Sequence, residues 1–317
     1  MGLEVQPWQE SPRFPILPAA DRNQFEAVYP QLRDRYPQFN PQDLAESLWH
    51  FWLPLALQVV GDRASQQRPL IQGILGAQGT GKSTLAAILQ VILAELGYSS
   101  LSLSLDDLYK TYRDRQHLQQ QDPRWRWRGP PGTHDVELGI AVLDALRQGE
   151  TEVEVPRFDK SAYNGAGDRA QPQRVSPVDI VLFEGWFVGV RAIDPAAFES
   201  PPSPIDTESD RAFARDINAK LADYLPLWQR LDRLWIFSQS DYRLSLQWRQ
   251  QAEREAIAQG KTGMSDRQIA EFVYYFWRSL HPELFISPLT QDPNVDLVIN
   301  LNRDRTITQI YSPSTLH

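Results

Sequence analysis

Gly76-Ala77-Gln78-Gly79-Thr80-Gly81-Lys82-Ser83 satisfies the pattern G-x-x-x-x-G-K-[ST] at every fixed position. A run of this kind answers a definite physical problem, the holding of several negative oxygens in one small volume. A curl of backbone N–H groups can do so, and glycines let the chain bend that tightly and approach that closely. The flanks agree. Pro69 through Leu75 is a short apolar run, as expected of a buried strand. From Ser83 onward Leu85, Ile88, Leu89, Ile92 and Leu96 recur at helical spacing up to Gly97, which predicts a helix closed by a C-terminal glycine. Strand, glycine turn and helix together aim a helix N-terminus at an anion. Gly76, Ala77, Gln78, Gly79, Thr80, Gly81, Lys82, Ser83 and Thr84 are therefore expected to cradle a nucleoside triphosphate, with Lys82 at the β- and γ-phosphates and the Ser83 hydroxyl on Mg²⁺.

Outward from this loop the chain alternates strand and helix signals. Ser100 to Leu105 alternates strictly and ends at Asp106-Asp107; Asp135 to Leu146 predicts a helix ending near Gly149. Glu152–Val155, Asp179–Phe183, Leu231–Phe237, Val295–Leu301 and Thr306–Tyr311 are expected strands, and Asp241 to Gln259 a long polar helix. Residues 110–134 are expected as a long loop, and residues 199–210, with three prolines, as an exposed insertion or linker. The expected fold class is α/β: a P-loop NTPase fold with a mostly parallel central sheet, helices on both faces, an N-terminal helical cap over 1–66 and a core over 67–317 that carries a helical lid at 241–262.

In an open parallel sheet, ligands bind beyond the carboxyl ends of the strands. That rule selects the loop from Gly76, Asp106 with Asp107, Arg157 with Lys160, and Glu184. Glu184 follows four apolar residues and is placed to orient Mg²⁺ or a catalytic water. Asp106 and Asp107 offer a general base for a substrate hydroxyl, with metal binding or helix capping as the alternative for one of them. Arg157 is either a carboxylate fork or half of a surface ion pair with Asp159. Arg124, Arg126 and Arg128 interleave with Trp125 and Trp127, which fits a small-anion pocket or a loop packed by its tryptophans better than nucleic-acid stacking. On the helix from Asp241, Arg243, Gln247, Gln250 and Arg254 form one stripe and Leu244, Trp248, Ala252 and Ala256 another; with Arg249, this suits a lid over phosphates or, alternatively, a solvated outer helix.

Composition narrows the field. The 317 residues carry a net charge of −8 and include no cysteine. An acidic chain lacks the basic surface with which duplex-binding proteins displace counterions, so no nucleic-acid partner is expected. Without cysteine there is neither a disulfide nor a thiolate metal site within the chain. Met1-Gly2-Leu3-Glu4-Val5 leads into polar and proline residues, with Gln6 where myristoylation wants Ser or Thr. The apolar stretch Leu48–Val60 is too short for a bilayer and predicts a buried helix with Pro54 at a bend or start. These features give the expectation of a cytoplasmic protein with no membrane partner. No N-K-x-D segment for guanine recognition is present.

Taken together, the loop, Asp106-Asp107-Leu108-Tyr109 after the second strand and Glu184-Gly185 after a later one resemble the phosphoribulokinase/uridine kinase branch of P-loop kinases. Within it, Ser104–Tyr109, Arg128-Gly129-Pro130-Pro131-Gly132-Thr133-His134-Asp135, Pro156-Arg157-Phe158-Asp159-Lys160-Ser161, Phe183–Trp186 and Trp248-Arg249-Gln250-Gln251 resemble the D-glycerate 3-kinase family of plants and cyanobacteria, from about Pro69 to Leu289. Leu108 stands where an aromatic residue is usual and Pro130 where asparagine is common. The resemblance implies an ATP- and Mg²⁺-dependent enzyme acting on a small-molecule substrate, D-glycerate, in photorespiration. It further implies Asp106 as base, Lys82 on the phosphates, Ser83 on Mg²⁺ and Glu184 near the metal. Asp107, Tyr109, Arg128, His134, Asp135, Arg157 and Lys160 would surround the acid. A kinase for another small alcohol (uridine, pantothenate or ribulose 5-phosphate) and a nucleotide-switched regulatory protein are the competing readings.

Overall fold

The structure, a computed structural model, describes residues 19–258 and 263–315. Three N-terminal helices, α1 (Ala19–Arg35), α2 (Pro41–Ser47) and α3 (Leu53–Ala64), precede β1 (Leu70–Gly76) and the phosphate-loop helix α4 (Lys82–Glu95). There follow β2 (Ser100–Ser104), α5 (Tyr112–Gln121), α6 (Val136–Gln148), the short strands β3 (Val153–Val155), β4 (Phe158–Asp159), β5 (Asp168–Arg169) and β6 (Gln173–Val175), and then β7 (Ile180–Gly185). The second half holds α7 (Glu208–Lys220), α8 (Leu225–Trp228), β8 (Arg233–Gln239), α9 (Leu244–Ala258), α10 (Asp266–Ser279), α11 (Pro282–Phe285), β9 (Leu297–Leu301) and β10 (Ile307–Tyr311).

Six strands form the central sheet in the order β10-β9-β8-β1-β7-β2. All neighbours are parallel except β10, which runs antiparallel to β9. Strand side chains alternate between faces; β1 and β7 are covered on both and buried throughout, whereas β2 alternates and β10 at the edge is largely exposed. Ile71, Leu75, Val181, Phe183 and Ile236 enter one core with α6, α7 and α10. Leu70, Ile74, Ile180, Leu182, Trp235 and Phe237 enter the other, with α1 to α4 and the start of α9. The parallel register brings the ends of β1, β7 and β2 to one edge, with Leu75 beside Gly185 and Ser104 beside Glu184.

Several expectations need correction. The stretch 110–134 is not a loop throughout, since α5 occupies ten of its residues. None of those ten is buried, so α5 carries no apolar stripe to betray it. Val153–Val155 lies outside the central sheet and pairs antiparallel with β6, so Arg157 and Lys160 approach the site from a side hairpin. Residues 199–210 are not simply exposed: Ile205 is buried in the core, and the carbonyls of Ser203 and Pro204 meet His281 Nε2 and Arg278 Nε. Residues 1–18 of the expected cap and 259–262 of the expected lid lie outside the described residues. Within Leu48–Val60, a π-helical turn over Leu48–Trp52 precedes α3, and Leu53 N–H bonds back to the Leu48 carbonyl. The wider turn gives the Pro54 ring room where an α-helical carbonyl would clash.

Candidate active site

The phosphate loop is built as its sequence demands. Gly79 and Gly81 adopt φ of 82° and 87°, values an L side chain rarely takes, and Thr80 Oγ1 donates to the Ala77 carbonyl at 2.9 Å. α4 begins at Lys82, so its first N–H groups have no intrahelical acceptor and face the loop's concavity. Ser83 Oγ donates to Glu184 Oε1 at 2.7 Å, and Lys82 Nζ lies 3.8 Å from Glu184 Oε2. Glu184 is buried at the end of β7, yet its Oε2 has no hydrogen-bond partner. A buried carboxylate oxygen left open beside a serine hydroxyl fits Mg²⁺, which takes much of its shell from phosphate and water. No cluster of three metal-binding side chains occurs among the described residues.

Asp106 and Asp107 diverge at the end of β2, on a 3₁₀ turn over Leu105–Leu108. Asp107 turns inward. Its carboxylate accepts from Ser104 N–H at 3.1 Å and from Arg157 Nη1 at 2.9 Å. Asp106 turns outward, where its Oδ2 pairs with Lys160 Nζ at 2.6 Å. Burial raises the affinity of the Asp106 carboxyl for a proton, but the Lys160 and Lys82 charges and a bond from Tyr109 outweigh it, so the group sits below the ordinary range. For Asp107 burial prevails, and the shift is upward.

A cavity of about 320 Å³ joins these groups. Gln78, Gly79, Lys82, Ser83, Asp106, Tyr109, Arg128, Lys160, Glu184 and Arg249 line it, with Ser104, Trp186, Trp248, Phe272 and Phe276 as residues the sequence did not single out for it. A larger space of about 690 Å³ continues past Arg128, Lys160 and Arg249. Arg128 Nη1 bonds the carbonyls of Gly165 and Ala166, at 2.7 and 2.9 Å. Arg249 pairs with Glu253 at 2.8 Å.

Four of the expected acid-binding residues stand behind the cavity instead of in it. Arg157 is held by Asp107, the Ser102 carbonyl and Gln173, and not by Asp159. Asp135 caps α6 through Leu138 N–H and pairs with Arg169 at 2.5 Å. His134 is buried, stacks on the Tyr109 ring at 4.5 Å, and shares a 2.8 Å bond with Tyr224 OH through Nδ1. Asp107 is the fourth. Arg254 lies outside the site, paired with Asp266 on the surface. The face of α9 turned to the phosphate loop is the apolar one: Trp248 is buried, and a Cβ on Gly79 would meet Trp248 Cβ at 2.8 Å. Trp125 and Trp127 pack the loop they belong to, on Phe213 and on Phe272 and Tyr275. A stripe of Ile269, Val273, Phe276 and Trp277 at helical spacing was the signal for α10, which supplies Phe272 and Phe276.

A phosphate loop, an acid at the end of the neighbouring strand and a carboxylate facing both across a cavity define a P-loop kinase. No family model matches the chain. It is 36% identical over 218 residues to a kinase of Schizosaccharomyces pombe, across 66% of this chain and 79% of that one. With the chloroplastic D-glycerate 3-kinase of Arabidopsis thaliana it shares 28% over 282 residues, 81% of this chain but only 60% of that protein's length. The structure of D-glycerate 3-kinase from Cryptococcus neoformans superposes with a TM-score of 0.74 at 27% identity, covering 82% of this chain and 98% of the other. The chain belongs to the P-loop kinase family that these proteins represent, and it is a kinase. No helix among the described residues is long and apolar enough to cross a membrane.

Proposed function

We propose that this kinase transfers the γ-phosphoryl group of ATP to the 3-hydroxyl of D-glycerate, giving 3-phosphoglycerate and ADP. The observation that carries the reading is the Asp106–Lys160 pair, with Arg128 beside it, across one cavity from Lys82 and Ser83. That arrangement offers a proton acceptor for a hydroxyl and two cations for a carboxylate. Two relatives named D-glycerate 3-kinase support the same acceptor.

In this reading the N–H groups at the start of α4 and Lys82 hold the β- and γ-phosphates. Ser83 and Glu184 would hold Mg²⁺, which supplies charge neutralisation on the transferring group when bound. Arg128 and Lys160 fix the acceptor carboxylate, directing its far hydroxyl toward Asp106. Asp106, kept ionised by its cations, takes the hydroxyl proton as the new P–O bond forms; a loose transition state asks for placement more than for basicity. Trp186, Trp248 and Phe276 wall the cavity and exclude competing water. A cytoplasmic setting follows the expectation drawn from the sequence, and cell fractionation tests it; a part in photorespiratory glycerate recovery follows the family resemblance.

An acceptor panel with coupled ADP detection tests the reading. D-Glycerate is expected to support turnover, and uridine, pantothenate and ribulose 5-phosphate are not. Turnover with one of the latter and none with D-glycerate would overturn it.

A further inference from the structure

The proton acceptor of this site is held in an ion pair. Lys160 Nζ lies 2.6 Å from Asp106 Oδ2, and the Tyr109 hydroxyl also bonds this carboxylate, so an incoming hydroxyl competes with both for it. The two carboxylates of the Lys160 hairpin are engaged elsewhere: Asp159 accepts from Ser161 N–H and Oγ, and Asp168 accepts from Tyr112 and Arg169 N–H. The Lys160 side chain is 61% exposed, so its tip can swing away without disturbing packing. Arg128 differs. It bonds backbone carbonyls and lies over the rings of Tyr109 and Phe158, with no carboxylate paired to it among the described residues, which leaves its charge available to an incoming anion.

We propose that Lys160 is a gating residue that releases Asp106 only to acceptors carrying a carboxylate. The inference rests on the acid-acceptor reading above and deepens it. An acid drawn to Arg128 offers Lys160 an alternative anion; the ammonium moves to it and Asp106 is freed to accept a proton. A neutral alcohol offers no such exchange, so it meets a masked base however well it fits. Water meets the same mask, and ATP is spared from idle hydrolysis. In that hydrolysis the bond from Pγ to the oxygen bridging the β-phosphate breaks and a bond from Pγ to the water oxygen forms. The water proton passes to Asp106 and then to solvent, leaving ADP and inorganic phosphate.

Inorganic phosphate release from ATP is measured for the full chain and for Lys160→Met, each alone, with D-lactate, and with glycerol. D-Lactate is D-glycerate without its 3-hydroxyl, so it can move Lys160 but cannot accept phosphate at that carbon. The unaltered protein should release phosphate about tenfold faster with D-lactate, a modest share of what a positioned base supplies, and no faster with glycerol. Lys160→Met should be raised to a similar rate alone, gain nothing from D-lactate, and show a higher KM for D-glycerate. Failure of D-lactate to stimulate the unaltered protein, or equal stimulation of Lys160→Met, would overturn the gate. D-Glycerate phosphorylation in the same preparations separates the two ideas: if it is present without stimulation, only the gate falls; if absent, both fall.

Discussion

Asp106 and Asp107 are neighbours in the chain and are put to different uses by one 3₁₀ turn. The side chain of Asp107 closes a capping box on Ser104, which fixes the turn and leaves Asp106 facing the cavity. Sequence could nominate the pair but not divide it, because the division depends on Arg157 arriving from a distant hairpin. Asp106→Asn should lower kcat for D-glycerate by about 10²- to 10⁴-fold, the range of a lost general base, with ATP affinity by calorimetry nearly unchanged. A comparable loss of ATP affinity would instead make Asp106 part of the nucleotide site.

His134 was equally visible in sequence, and equally unreadable as to depth. Burial pushes its pKa down to about 3 from the ordinary 6.5, so the folded protein holds it neutral. Between those values the unfolded chain binds a proton that the folded chain refuses, and stability falls as pH falls. From pH 7 to pH 5 this one group should remove about 2 kcal/mol. Denaturant unfolding at the two pH values should show a shallower dependence in His134→Gln than in the parent. An unchanged slope would mean that His134 is solvated in the folded protein.

At the level of elements, β1 and β7 were legible because each is buried on both faces and bounded by turn residues, and β2 because its leucines alternate with serines. α5 was not legible, having no buried residue, and the walls from α10 could be found as a helical stripe but not as site residues. The relation between β7 and β2 is also a tertiary fact, and it turns on Gly185. A Cβ there would meet Leu105 Cβ at 2.6 Å and Val188 Cγ2 at 2.9 Å. Since Leu105 adjoins Asp106, Gly185→Ala should push apart the turns that carry Glu184 and Asp106. Overpacking of this kind costs about 1–3 kcal/mol, and displacement near 1 Å can lower kcat about a hundredfold. Thermal unfolding and steady-state rates check both parts; a variant with unchanged kcat would show that the two turns are not rigidly linked.

Over the whole molecule, the helices within residues 19–66 supply much of the core on one face of the sheet. Phe25, Val28, Tyr29 and Leu32 are almost fully buried, in the same core as Ile88, Leu89 and Ile92 of α4. Burial of each such side chain contributes about 1.5–3 kcal/mol, so the phosphate-loop helix is braced from behind by the N-terminal helices. Their amphipathic stripes are in the sequence; the helix they brace is not. The result is a sheet held from both faces, with its chemistry confined to the edge where β1, β2 and β7 end. The central claim is that this edge presents the far hydroxyl of a short acid to the γ-phosphate. Phosphorus NMR of the product formed from D-glycerate and ATP tests it most directly: the account predicts a phosphate ester on the terminal carbon, and an ester on the carbon next to the carboxylate would contradict it.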